Sequence, residues 1–237
     1  MAKLAYITGS SRGIGKALAL LLLDKGYKVI GLSRTNDIQH PNFQFHAIDL
    51  SDINAVKNFQ FDSTEDNVLL VNNAGMLGEV GPIGQIDNGQ VCKVMNVNTI
   101  SPQILTNSFI TKFHNNRQQF HILNISSGAG KRPISSWATY CASKAALDLF
   151  SETVAEELEW KQMNNWFIHS VAPGVVDTKM QEQIRSTDKE NFKIVQNFID
   201  YKENNDLYTP QHVAEKLWKI IETPSKFSDV LQSVREY

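Results

Sequence analysis

Tyr140 and Lys144 stand four residues apart in Tyr140-Cys141-Ala142-Ser143-Lys144, at the start of a helically patterned stretch. At i and i+4 both side chains share one face of a helix. A free phenol loses its proton near pH 10, too high for easy exchange at neutral pH. A nearby ammonium stabilises the phenolate and lowers that value. Such a pair can trade a proton with a bound oxygen. The spacing alone arises often by chance and carries little. A second hydroxyl adds weight. Thirteen residues before Tyr140, Asn124-Ile125-Ser126-Ser127-Gly128 ends an apolar run, so Ser127 sits where a strand would aim a hydroxyl at a substrate carbonyl.

A different chemistry is written near the start, in Thr8-Gly9-Ser10-Ser11-Arg12-Gly13-Ile14-Gly15. Glycines permit a tight turn and a close approach to a pyrophosphate, and a helix start offers free N–H groups to the charge. The spacing is GxxxGxG rather than the general GxGxxG, and a bare strand-to-helix turn is the alternative reading. An NAD site usually carries an acid about 20 residues past this loop. Nineteen residues past Gly15 the chain has Ser33-Arg34 instead, and Arg12 adds a second cation inside the loop. Two guanidinium groups and a hydroxyl suit a 2′-phosphate, which predicts a preference for NADPH. Asp37, three residues on, complicates this, and two ordinary solvated arginines are the other reading.

Positioning these groups requires a scaffold, and the apolar pattern supplies one. Short apolar runs at 4–8, 27–32, 43–48, 68–71, 120–125 and 166–171 read as strands. Helical patterns occupy 13–25, 52–61, 87–114, 140–160 and, opened by Pro210, 210–221, with an edge strand near Val230. Alternation of this kind predicts parallel βαβ units, hence an α/β doubly wound parallel sheet with helices on both faces. Ligands of such sheets bind beyond the carboxyl ends of the strands, where every motif above falls.

Composition narrows the function. With 237 residues, 42% hydrophobic, and a net charge of −2, the chain is neither disordered nor drawn to nucleic acid or anionic lipid. The apolar stretch 17–23 meets Asp24 and Lys25, far short of the roughly 20 residues of a membrane span. Cys92 and Cys141 form no CxxC pair, so the expected setting is the reducing cytoplasm. The six histidines show no ligand spacing, and no metal is expected. The segment 180–208 is expected to cover the crevice as a lid, with Met180, Ile184, Phe192 and Phe198 on its apolar side. Trp137 and Ile134 form a second candidate wall. Together they suit a small, largely apolar ketone or aromatic dicarbonyl, although simple packing of the lid onto the core explains them equally.

In order and spacing, these motifs resemble the short-chain dehydrogenase/reductase family over essentially the whole chain. The likeness is carried by the loop 8–15, Asn72-Asn73-Ala74-Gly75, Asn98 in Asn96-Val97-Asn98, Ser127, Tyr140, Lys144 and Pro173-Gly174. It implies a single Rossmann-type domain over 1–237. Tyr140 would be the general acid of a reduction, Ser127 would orient the carbonyl, and Lys144 would bind ribose and depress the tyrosine pKa. Asn98 would anchor a water in a proton relay. Thr8, Gly9, Ser11, Arg12, Gly13, Ile14 and Gly15 would line the cofactor, with Ser33 and Arg34 at its phosphate. Asp49 and Leu50 would lie along the adenine, and Asn73, Ala74 and Gly75 beside the adenine-side ribose. Pro173, Gly174, Val175, Val176 and Thr178 would hold the nicotinamide end. Within the family, the stretches 124–131 and 173–181, with Trp137, look like bacterial benzil reductases and their sepiapterin reductase-like relatives. The resemblance implies an NADPH-dependent carbonyl reductase, assembled as a homodimer or homotetramer. A dehydrogenase running in the oxidative direction and a non-catalytic NADP(H) sensor are the other readings, the last disfavoured because both Tyr140 and Lys144 are present.

Overall fold

The strands are β1 (Lys3–Thr8), β2 (Lys28–Ser33), β3 (Phe43–Ala47), β4 (Asn67–Asn72), β5 (Gln119–Ile125), β6 (Trp166–Ala172) and β7 (Leu231–Ser233). The helices are α1 (Gly13–Asp24), α2 (Ile53–Asn58), α3 (Asn88–Met95), α4 (Ser101–Phe113), α5 (Ala138–Trp160), α6 (Lys179–Arg185), α7 (Val195–Glu203) and α8 (Pro210–Glu222). They come from a computed structural model that describes residues 2–116 and 118–237. All seven strands join one parallel sheet in the order β3-β2-β1-β4-β5-β6-β7. The strand order reverses between β1 and β4, the switch point at which such sheets open a ligand crevice.

Both faces of the sheet are covered, which is why the central strands are apolar without alternation. In β1, Ala5 and Ile7 point to a layer filled by Leu18 and Leu22 of α1 and by Val213, Leu217 and Ile220 of α8. Leu4 and Tyr6 point the other way, to Val56 of α2, Leu105, Phe109 and Phe113 of α4, and Val154 and Leu158 of α5. The doubly wound arrangement expected from sequence is the observed one.

Three local differences stand out from the expected elements. The helix expected over 52–61 stops at Asn58, because Phe59 and Phe61 turn inward and meet the Tyr6 ring edge-on at centroid distances of 6.1 and 4.9 Å. The helix expected over 87–114 is three pieces: α3, a π-helical turn at Asn96–Ile100, and α4. The widened turn, in which the Ser101 N–H reaches the Asn96 carbonyl, is the kind of local irregularity often found at functional sites. The third is at α5, which opens two residues before Tyr140.

The segment 180–208 forms α6, a loop, and α7. Ile184, Phe192 and Val195 join Leu77, Ala129, Trp137 and Tyr140 in a third apolar cluster at the carboxyl edge of the sheet. Two main-chain bonds pin the two ends of the segment together. The Asp177 N–H donates to the Tyr208 carbonyl (2.9 Å), and the Tyr208 N–H donates to that of Val175 (2.9 Å).

Candidate active site

The glycine loop leaves β1 and enters α1 through two left-handed residues, Gly9 at φ +68° and Gly13 at φ +56°. Gly15 is required by space. A Cβ there would lie 2.3 Å from Asn73 Nδ2 and 2.4 Å from the Gly9 carbonyl oxygen. Asn73 holds the loop from the neighbouring strand end, donating from Nδ2 to the carbonyls of Thr8 (2.9 Å) and Gly9 (3.2 Å). The backbone N–H groups of Asn73 and Ala74 donate to Thr8 Oγ1 (2.9 and 3.0 Å). Arg12 occupies the N-cap position of α1 in extended backbone, makes no side-chain cap, and no acid stands in the first turn. The helix start therefore presents amides and positive potential without an internal anion, which fits a pyrophosphate. Ile14 turns its side chain into the core, so it offers the loop only its backbone. Ser11 is half-buried beside it.

At the end of β2, the Ser33 hydroxyl is buried and donates to the Thr35 carbonyl (2.7 Å). Arg34 and Arg12 are exposed, and neither has a carboxylate partner among the described residues. Asp37, the acid that complicated the sequence reading, is held by Lys16 of α1 at 2.5 Å. Asp49 is fixed by the N–H (2.9 Å) and hydroxyl (2.8 Å) of Ser51. Those two bonds hold its carboxyl below the usual carboxylate range, against burial, with smaller help from Arg34 and Lys93. Leu50 is buried, and its carbonyl accepts from the Ser101 hydroxyl (2.6 Å).

After β6, Gly174 is left-handed (φ +75°) with the Tyr208 ring against its open side. Pro173, Gly174 and Val175 are half-buried, and Val176 is buried where it pairs with Tyr208. Thr178 reaches the glycine loop, its Cγ2 3.4 Å from where a Gly13 Cβ would stand.

The catalytic candidates meet between β4, β5 and α5. Ser127 caps the short turn that follows β5, its Oγ accepting the Ala129 N–H (3.2 Å). The same hydroxyl lies near enough to the Tyr140 phenol to lower its pKa. Lys144, one turn along α5, donates from Nζ to the Ile125 carbonyl (2.8 Å) and lies 6.0 Å from the Tyr140 ring centroid. From Gly75, an added Cβ would come within 3.5 Å of Lys144 Nζ and 3.6 Å of Asn98 Oδ1. Residues distant in sequence are thus gathered around one buried point.

Burial raises the Tyr140 pKa, the Ser127 hydrogen bond lowers it, and Cys141 raises it further, with a net rise. Burial also brings Lys144 down to about 8, opposed by Asp148. Lys144 is not among the causes acting on the phenol, so the expected depression by its ammonium stays an expectation. Burial dominates, and the phenol stays protonated at neutral pH.

Asn98 is fully buried, not the surface residue that its place in a helix would allow. Its Oδ1 accepts the Met76 N–H (2.9 Å), and its Nδ2 donates to the Met76 carbonyl (2.9 Å) and Ser143 Oγ (3.0 Å). The side chain is committed to protein partners, so a water at Asn98 would have to be held by its backbone.

Trp137 meets the Tyr140 ring edge-on at 5.8 Å, stacks on Phe192 at 5.1 Å and touches Phe198 at 5.4 Å, while half-buried Met180 packs beside this cluster. Sequence reasoning missed the polar layer beneath the site. Asn72 Nδ2 donates to Asn124 Oδ1 (2.8 Å), whose Nδ2 donates to Ser151 Oγ (2.8 Å). It also missed Asp148, although its position four residues past Lys144 was a usable signal.

Comparison with known proteins agrees with this geometry. The model of the family described as short chain dehydrogenase matches residues 3–189. A benzil reductase ((S)-benzoin forming) of Bacillus cereus is 37% identical over 232 residues, covering 92% of this chain and 93% of its own. A sepiapterin reductase of Xenopus tropicalis is 30% identical, with 92% and 91% covered. Among solved structures, a short chain dehydrogenase/reductase from Saccharomyces cerevisiae superposes with a TM-score of 0.82 at 27% identity, covering 98% of this chain and 96% of its own. A 4-hydroxyisoleucine dehydrogenase complexed with NADH has a TM-score of 0.80 at 25% identity, with the same coverage.

Proposed function

The chain belongs to the short-chain dehydrogenase family of oxidoreductases acting on carbonyl and hydroxyl groups, and from that premise we propose that it is an NADPH-dependent reductase of ketones and 1,2-diketones resembling benzil. One observation carries the reading. Tyr140 and Lys144 share the buried face of α5, and the Lys144 ammonium donates to the Ile125 carbonyl at the strand end from which the Ser127 turn follows.

When bound, a nicotinamide cofactor supplies the hydride that reduces the carbonyl carbon. The rest falls to this chain. Tyr140, a protonated phenol at neutral pH, gives its proton to the carbonyl oxygen, and Ser127 orients that oxygen and stabilises its developing charge. Lys144 binds the ribose hydroxyls and offers positive charge to the phenolate left behind, while the backbone at Asn98 holds the water that reprotonates it. Pro173, Gly174, Val175, Val176 and Thr178 seat the nicotinamide end. The 180–208 segment, with Met180 and Trp137, excludes water from the reacting carbonyl.

The raised Tyr140 pKa keeps the phenol protonated, as a general acid for reduction must be. NADPH is favoured over NADH by the absence of an acid at the end of β2, by the two unpaired guanidinium groups, and by the diversion of Asp37 to Lys16. A relative of this fold is complexed with NADH, so the fold itself does not require the 2′-phosphate. Both cysteines are free, which supports a reducing, cytoplasmic setting. Leu149, 66% exposed on α5, supports assembly through the outer faces of α4 and α5.

Tyr140→Phe removes the proton donor and little else. It is expected to lower NADPH oxidation with benzil by about 100-fold or more while leaving NADPH affinity, read by fluorescence titration, nearly unchanged. Wild-type turnover retained by the variant would end the assignment of Tyr140. Tight NADPH binding with no turnover across a broad carbonyl panel would favour the sensor instead.

A further inference from the structure

We propose that Asp148 is a positioning residue of this site: its buried carboxylate is the fixed counter-charge of Lys144, and it clamps the helix that carries Tyr140 and Lys144 onto β6 and the Ser127 turn. The proposal rests on the functional reading above for the role of Lys144, and nothing in that reading assigns Asp148 a part.

The geometry is that of a buried acid held on three sides. Tyr140, Lys144 and Asp148 follow one another at i, i+4 and i+8 on α5, so they form one row along the buried face. Asp148 is 7% exposed. Its Oδ1 accepts the hydroxyl of Ser170 on β6 at 2.7 Å. Its Oδ2 lies 2.7 Å from where a Gly130 Cβ would stand, and the Lys144 carbonyl carbon lies 3.0 Å from the same point. Gly130 ends the turn that Ser127 caps. A side chain at 130 would push that turn away from α5, and with it the Ser127 hydroxyl away from the phenol. The carboxylate therefore touches two of the three elements that must stay in register for Ser127, Tyr140 and Lys144 to meet, and it belongs to the third.

Its charge has a second use. An ammonium buried as deeply as that of Lys144 is pulled toward neutrality, and a neutral amine offers nothing to a phenolate. A carboxylate one turn away opposes that pull, and the field of Asp148 acts on Lys144 in that sense. The other titratable groups on the elements around α5 do not serve. His121 and His169 face away, bound to each other at 2.8 Å and to the Phe227 carbonyl. Lys93 of α3 acts on Asp49, Cys92 is exposed, and Lys131 and Arg132 after the turn are exposed. Tyr140 shares the helix and is uncharged at neutral pH.

The test is a direct titration of Lys144 in cofactor-free protein by NMR of ε-carbon-labelled lysine, with its signal assigned through Lys144→Arg. This needs no turnover, so its outcome is independent of whether the protein reduces carbonyls. Asp148→Asn keeps an acceptor for Ser170 and removes the charge. Its Lys144 midpoint is expected to fall by about one pH unit from the wild-type value near 8. Ser170→Ala, which removes the hydrogen bond and keeps the charge, is expected to leave the midpoint in place. An Asp148→Asn midpoint equal to wild type would overturn the proposal.

Discussion

At the scale of single residues, the proposed preference for NADPH rests on two exposed guanidinium groups and one diverted carboxylate. Lys16 occupies Asp37, which leaves Asp49 as the acid whose field reaches Arg34. Replacing Arg12 or Arg34 by Ala is expected to raise KM for NADPH by about tenfold each, the worth of a charge-assisted hydrogen bond, and to leave KM for NADH nearly unchanged. Steady-state kinetics with both reduced cofactors checks this, and equal effects on the two would withdraw the 2′-phosphate assignment. The identities of Tyr140, Lys144, Ser127 and the glycines were legible in the sequence because each is a residue type tied to a spacing. Their electrostatics were not. The sequence shows an ammonium four residues from a phenol, but only the fold reveals that both are buried deeply enough for desolvation to outweigh the help of Ser127 to the phenol and of Asp148 to the ammonium.

Strand, turn and helix carry the next level of constraint. Gly15 lets β1 pass into α1 with Asn73 pressed against it, while nothing approaches the open side of Gly128. Gly15→Ala is therefore expected to destabilise the protein by about 2 kcal/mol or more and to abolish NADPH binding. Gly128→Ala should stay within about 0.5 kcal/mol of wild type. Denaturant midpoints and cofactor titration distinguish the two, and equal tolerance would mean that the loop is looser than the hydrogen bonds from Asn73 imply. Trp137 links α5 to Phe192 and Phe198 of the covering segment. Trp137→Ala is expected to cost about 3–5 kcal/mol and to raise KM for benzil more than for an aliphatic diketone. Unchanged KM for both would leave the ring a packing role only. Most element positions followed from apolar periodicity. The early end of α2 and the widened turn before α4 did not, since Phe59 turns inward for the sake of Tyr6, and Asn98 is fixed by Met76 and Ser143, partners remote in sequence.

For the molecule as a whole, the sheet interior makes stability depend on acidity. His121 and His169 are buried side by side, and burial is the main cause holding both rings below the ordinary value of 6.5. The folded chain then takes up fewer protons than the unfolded one on acidification. Stability is full above about pH 6.5 and falls below it, by up to about 1.4 kcal/mol per pH unit for each ring. Urea midpoints measured at about pH 7 and about pH 5 should show the loss, and His121→Gln should flatten it. Identical slopes for the two proteins would acquit the pair. This dependence was invisible in the sequence, where six scattered histidines show no pattern. The parallel order of the strands and the two-sided core were legible, because continuous apolar runs separated by helices leave few other solutions. The tie between Tyr208 and the backbone at Val175 and Asp177 has a wider reach. The stretch it encloses begins and ends at one spot and contributes no strand to the sheet. A cassette exchanged between Met180 and Leu207, borrowed from a relative of different substrate range, would be seated by the same pair of peptide bonds, leaving Thr178 in place against the glycine loop and changing what stands over Trp137 and Tyr140.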